Sequence, residues 1–159
     1  MHSMHYINNR LLSEVAKGAA KASRNADDID LIVPVFAVAG NSADARATQL
    51  HRARTQISFY GSTPNYAFQF DDLGFKGTTQ RLNALIREGD TAQMAATITD
   101  EMLDEFALIR RWDDMADALL ERYRGIEHRV VLYLTDEDVG NTPAHLARWG
   151  EIARAVRQG

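Results

Sequence analysis

The side chains best suited to meet a ligand gather around one helix-breaking segment, "RTQISFYGSTPNY" at residues 54–66. Phe59, Tyr60, Tyr66, Phe68 and Phe70 are five of the chain's eleven Phe and Tyr residues, and they flank Gly61-Ser62-Thr63-Pro64. Two readings stay open from the residues alone. The rings can form the core between two helices hinged at Gly61. They can also form an aromatic wall over a flat ligand, because tyrosine joins apolar area to a polar tip. Periodicity does not separate the two.

The other candidate chemistries are weaker. The five histidines are His2, His5, His51, His128 and His145. Only His2 and His5 are close in sequence, at a terminus expected to fray and without an acidic neighbour, so no metal site is expected. His128 beside a strand start and His145 in a first helical turn read as surface or packing residues. "TDEDVGN" sets Asp136, Glu137 and Asp138 in a row without the alternating ligands of an EF-hand loop, and it reads as a solvated turn. Its place after a strand still matters, because loops after parallel strands are where α/β proteins bind ligands. "VAGNSADA" has one Gly between strand and helix, a poor signal for a phosphate loop. No nucleophile elbow or Ser-His-acid order is present. Arg110, Arg111 and Trp112 read as a surface loop with one partly buried Trp.

Composition bounds the class. The chain has 159 residues, 45% apolar and 25% charged, a globular balance with room for one ordinary domain. A net charge of −4 gives no general attraction to nucleic acid or to an anionic membrane. No apolar run approaches the roughly 18 residues of a membrane span, and the N-terminus is polar where a signal peptide is apolar. The absence of cysteine fits a cytoplasmic location.

These residues need elements to position them. Ile7, Leu11, Val15, Ala19 and Ala22 share one face of a helix over 6–24, stopped by "NADD". "IDLIVPVFAVAG" at 29–40 is a continuous apolar run, the pattern of a strand covered on both faces; Pro34 within it requires a bulge or an edge. Asn41 and Ser42 cap a helix over 42–60 with Ala43, Ala47, Leu50, Ile57 and Tyr60 near one stripe. Pro64 starts a short helix. Helices follow over 78–90, with Leu82, Leu85 and Ile86 inward, from Asp90 with a Gln93 capping box, and over about 100–107. Asp113 caps a helix ending at Tyr123. "HRVVLYL" at 128–134 is the second strand, and Thr142-Pro143 opens a last helix with Leu146, Trp149, Ala153 and Val156 on its apolar face. Two strands among about seven helices do not make an ordinary sheet, which averages about five or six strands. The chain therefore reads as part of an α/β structure whose other strands are missing.

Longer strings carry a resemblance. "VPVFAVAG", "RTQISFYGSTPNY", "RLNALIREGD", "MAATITDEMLDEFAL" and "RVVLYL" closely resemble the C-terminal part of luciferase-like flavin-type oxidoreductases, in particular the subgroup that uses the deazaflavin coenzyme F420. "FYGSTP" followed by Tyr66 and "DEMLDEFA" are the most specific matches, and "HSMHYINNRLL" resembles the segment after that family's sixth barrel strand. The resemblance implies a fold that is α/β by descent and mostly helical in this chain. It implies a partial (β/α)8 TIM barrel holding strands seven ("IDLIVPVFAVA") and eight ("VVLYL") of a barrel that takes about 250 residues. Residues 42 to about 124 would include an insertion at the barrel mouth. Where the family has a Gly-x-Pro start to the helix before strand eight, this chain has Arg110-Arg111-Trp112.

What the resemblance implies for function is hydride transfer between a deazaflavin (FMN as the alternative) and a small organic substrate in the intact enzyme. Phe59, Tyr60, Gly61 and Tyr66 would line the mouth and Arg54 would contact an anion. No catalytic base or cofactor-binding residue is assigned, because the family's cofactor-cradling residues lie in earlier strands. This chain is expected to be inactive alone, with the missing N-terminal half or a second copy as partner. The alternative is a non-catalytic helical module that self-associates or binds a partner through open strand edges, or a relic without activity.

Overall fold

The computed structural model describes residues 1–126, 129–133 and 140–159. The chain divides into two compact units. Unit 1 comprises Met1–Leu31 and Arg54–Phe106, and unit 2 comprises Ile32–Ala53 and Ala107–Gly159.

Unit 1 is helical. Helix α1 (Met4–Tyr6) runs through a π-helical turn (Ile7–Leu11) into α2 (Leu12–Lys21). Near the terminus expected to fray, Ser3 is buried and accepts the Tyr6 N–H at 3.1 Å as an N-cap. The helix ends earlier than "NADD", where Ser23 takes a left-handed φ of 54°; Asn25 instead caps a 3-10 turn at Ala26–Asp28. The π-helical turn brings Arg10 to Asp72 through two hydrogen bonds of 2.6 and 2.9 Å and lays its guanidinium 5.1 Å from the centre of the Phe68 ring. Helices α4 (Ala67–Asp71), α5 (Thr78–Glu88), α6 (Thr91–Thr97) and α7 (Asp100–Phe106) complete the unit. Gly89 closes α5 in the left-handed region at φ 75°, and Asp90 caps α6 by accepting the Gln93 N–H at 2.9 Å. Ile7, Ile57, Phe70, Leu82, Leu103 and Phe106 are core residues, while Ile86, expected inward, is exposed.

Unit 2 holds a parallel sheet. Strand β1 (Ile32–Ala39) is central, with β2 (Ala107–Arg110) on one side and β3 (Arg129–Leu132) on the other. The two neighbours cover different halves: β3 pairs with Ile32–Val35 and β2 with Phe36–Ala39. Three described strands replace the two expected. The missed one, β2, lies inside the 42–124 segment read as a helical insertion; four apolar-leaning residues directly after a helix look the same to a periodicity test whether they continue it or leave it.

Pro34 meets its requirement through this stagger. The Val35 carbonyl accepts from Tyr133, so odd positions face β3, and Gly40 donates to the Arg110 carbonyl, so even positions face β2. Pro34 thus turns its missing donor to the β2 flank two residues before β2 pairing begins. At the other end of β1, Ala39 faces the β3 side beyond the described pairing of β3. There the buried Gln49 carboxamide accepts from the Ala39 N–H at 3.0 Å and donates to the Ala39 carbonyl at 2.8 Å.

Gln49 belongs to α3 (Ala43–Gly61), which is capped by Ser42 accepting the Ala45 N–H. Its buried positions are Gln49, Ala53, Ile57, Ser58 and Gly61; of the expected stripe only Ile57 is buried, and Ala43 and Ala47 are exposed. Helix α8 (Met115–Tyr123) has Asp114, not the expected Asp113, at its N-cap position and no side-chain cap, and Asp113 pairs with Arg148 at 3.0 Å. In α9 (Pro143–Gln158) the buried residues are Trp149 and Ile152, with Leu146 60% exposed.

Two measurements check these contacts. Gln49→Leu leaves two buried backbone groups without partners and is expected to cost about 2–4 kcal/mol in urea unfolding; Gln49→Glu keeps the acceptor, loses the donor and falls between. Hydrogen bonding from Arg10 lowers the Asp72 pKa from its ordinary value of 3.8. The resulting stabilisation is present above that ordinary value and is lost as pH falls through the lowered one. Carboxyl NMR titration is expected to give a depressed Asp72 midpoint that returns to the ordinary range in Arg10→Gln.

Candidate functional site

The five crowded aromatics separate into three environments, all within unit 1. Phe70 is fully buried and meets Phe106 edge-on at 5.2 Å. Phe68 is half-buried and stacks tilted on Tyr6 at 5.5 Å, under the Arg10 guanidinium. Phe59, Tyr60 and Tyr66 form a third group, a chain of edge-to-face contacts: Phe59 to Tyr60 at 5.8 Å and 67°, Tyr60 to Tyr66 at 6.4 Å and 83°. Phe59 is 56% exposed, and the two tyrosines are half-buried. The core reading of the stretch thus applies to Phe70, and Phe59 stands outside it.

The backbone that presents this group is fixed locally. Helix α3 ends at Gly61, and the chain turns through Ser62, whose hydroxyl donates to the Phe59 carbonyl at 2.7 Å and whose N–H donates to the Ser58 carbonyl at 3.0 Å. Asn83 of α5 donates to the Ser62 carbonyl at 3.0 Å. Pro64 opens a 3-10 turn at Pro64–Tyr66, and Tyr66 donates its N–H back to the Thr63 carbonyl. The turn therefore holds Tyr66 next to the last turn of α3.

Gly61 is buried beneath the rings. A Cβ there would stand 2.6 Å from Phe70 Cε2 and 3.0 Å from Leu82 Cδ1, so glycine lets the end of α3 close onto the core. Arg54, one and a half turns before Phe59, directs its guanidinium to the start of α7. Its Nε donates to the Ile98 carbonyl at 3.2 Å, and Nη2 hydrogen-bonds Asp100. An incoming anion has to compete with that carboxylate. Phe59, Tyr60 and Tyr66 are brought together; Gly61 supports them and Arg54 is engaged elsewhere. The Arg54–Asp100 pair and the Gly61–Phe70 approach had no signal in sequence spacing.

In unit 2 the Trp112 ring meets Trp149 at 5.0 Å and His145 at 5.5 Å, and the Trp112 backbone N–H donates to Asn41 Oδ1 at 3.4 Å. At the end of β1, Arg46 donates to the Gly40 carbonyl. Asp136, Glu137, Asp138 and His128 lie outside the described residues. Among the described residues no three His, Cys, Asp or Glu side chains gather as metal ligands, and no helix is long and apolar enough to cross a membrane.

The family model described as luciferase-like monooxygenase matches residues 1–128. Uncharacterized proteins of Mycobacterium bovis and of two Mycobacterium tuberculosis strains are each 30% identical over 131 residues, 82% of this chain. The chain spans about 38% of the length of these curated relatives. No solved structure matches it significantly.

Close packing and exposure predict opposite responses at two neighbouring positions. Gly61→Ala is expected to destabilise the chain by about 1–3 kcal/mol through overpacking against Phe70. Phe59→Ala is expected to shift stability by less than about 0.5 kcal/mol. Thermal melts of the two variants read the contrast.

Proposed function

This chain belongs to the luciferase-like monooxygenase family, and on that premise we propose that it is the C-terminal portion of a coenzyme F420-dependent oxidoreductase. In the intact enzyme the reaction is hydride transfer between the deazaflavin and a small organic substrate, in the cytoplasm. The observation that carries this reading is the exposed edge-to-face group of Phe59, Tyr60 and Tyr66. Its apolar rings and phenol tips suit one side of a flat heterocycle. Bound there, a deazaflavin (or FMN, the alternative) would supply the carbon that carries hydride. These three residues would orient the ring or its substrate and exclude water from that side, and Gly61 would keep their backbone in place. Arg54 would reach an anionic group by exchanging Asp100.

The fit covers only one side. Relatives more than twice as long have ample chain for the rest of such a site, so this chain is expected to need a complementary portion. A second reading, a non-catalytic module that self-associates, draws on unit 2. Paired register positions share a sheet face, so Ile32 and Val131, 58% and 41% exposed, lie on one face with Pro34. The outer edge of β3 has no strand partner among the described residues. Exposed apolar area beside an unpaired edge favours addition of another chain.

Titration with F420 and with FMN, followed by cofactor fluorescence, tests the first reading. The expected result is no micromolar binding by the chain alone and binding of F420 once it forms a complex with the preceding portion of a mycobacterial relative. Micromolar binding by the chain alone overturns the claim of incompleteness, and a folded complex that binds neither cofactor overturns the family activity for this chain. A clean monomer in light scattering at high concentration counts against the second reading.

A further inference from the structure

Unit 2 contains a cleft of about 550 Å³ between α8, β3 and α9, within the size range of small-molecule sites. Its floor is apolar: Leu119 and Ile152 are buried, and Leu132 and Val156 are partly exposed to the opening. Three guanidinium groups border it. Arg124 follows the last residue of α8, Arg129 begins β3, and Arg157 sits in the last turn of α9.

These arginines differ from others on the same helices. Arg122 of α8 donates to the Ala107 carbonyl at 2.9 Å, and Arg148 of α9 holds Asp113 at 3.0 Å. The side chains of Arg124, Arg129 and Arg157 make no hydrogen bond or ion pair with another described residue. Among the described residues no Asp or Glu lines the cleft, although the whole chain has 22 acidic residues against 18 basic ones. Arg124 and Arg157 also complement the negative ends of their helices. Arg129 begins a strand, so that explanation does not extend to it. Three like charges around one apolar opening repel one another, and an anion placed among them removes that repulsion. Arginine's planar fork favours carboxylate or phosphate oxygens in that role.

We propose that this cleft binds a small amphipathic anion, with its apolar body on the Leu119–Ile152 floor and its anionic head among Arg124, Arg129 and Arg157. The site uses residues of unit 2 alone and does not depend on the deazaflavin reading; a complex with the preceding portion of a mycobacterial relative that takes up such an anion but neither F420 nor FMN supports one proposal and not the other.

Calorimetric titration of the full chain with decanoate and with decyl phosphate, below their micellar concentrations, tests the site and distinguishes the two head groups. Saturable binding of at least one of them at one per chain is expected, with decanol and decyltrimethylammonium at least tenfold weaker. The double variant Arg129→Gln/Arg157→Gln is expected to weaken binding tenfold or more with an unchanged circular dichroism spectrum. Ala153→Trp, at an exposed position lining the cleft, is expected to abolish it by filling the space. Equal binding of decanol, undiminished binding by both variants, or no saturable binding of either anion overturns the proposal.

Discussion

The Gln49 carboxamide occupies the place of a missing strand. A central parallel strand must satisfy its backbone groups on both sides, and β1 has neighbours that each cover half of it. Past the described reach of β3, the Ala39 N–H and carbonyl are met by one side chain that offers an acceptor and a donor in a single plane. An apolar residue at 49 would bury as well and satisfy neither group. The same helix is capped by Ser42 and ends at Gly61. Phe59 is exposed and Ile57 is buried because Gln49, Ala53, Ile57 and Gly61 follow one another at steps of four.

That stripe explains which parts of the fold were legible in the sequence. The helix limits near Ser42, Pro64, Gly89, Asp90 and Pro143 were readable, because capping chemistry is local and each of those residues acts within a turn of its own position. The inward face of α3 was not, because a polar Gln and a Gly lie on it and hydrophobic periodicity passes over both. Strand β2 was missed for a related reason: Ala107–Arg110 is strand because β1 lies beside it, and that is a long-range fact. Pro34 gave the better kind of information. It demanded an edge or bulge, and the staggered pairing provides an edge in the middle of a central strand. Asp113 shows the limit of local rules, since its carboxylate goes to Arg148, 35 residues away.

The candidate site was legible as a location and not as an arrangement. Sequence placed the rings around the helix break, and family likeness gave the segment a functional context. It took coordinates to divide the rings into core, bracket and exposed chain, and to show Gly61 as a contact surface for Phe70. The string lies within the residues matched by the luciferase-like monooxygenase family, and the chain spans about 38% of the length of its curated relatives.

Pro34 has one more effect. Among the described residues the first half of β1 has no strand partner on the β2 side, and exposed Ile32 lies beside it, a combination that seeds misassembly when a strand can add there. A proline in that half removes the amide that an incoming backbone would need, in the manner of a gatekeeper residue. The outer edge of β3 has no such guard among its described residues. Any growth of this sheet, into a native assembly or into an aggregate, is thereby turned from that inner flank to the outer edges of β2 and β3, which have no strand partner among the described residues.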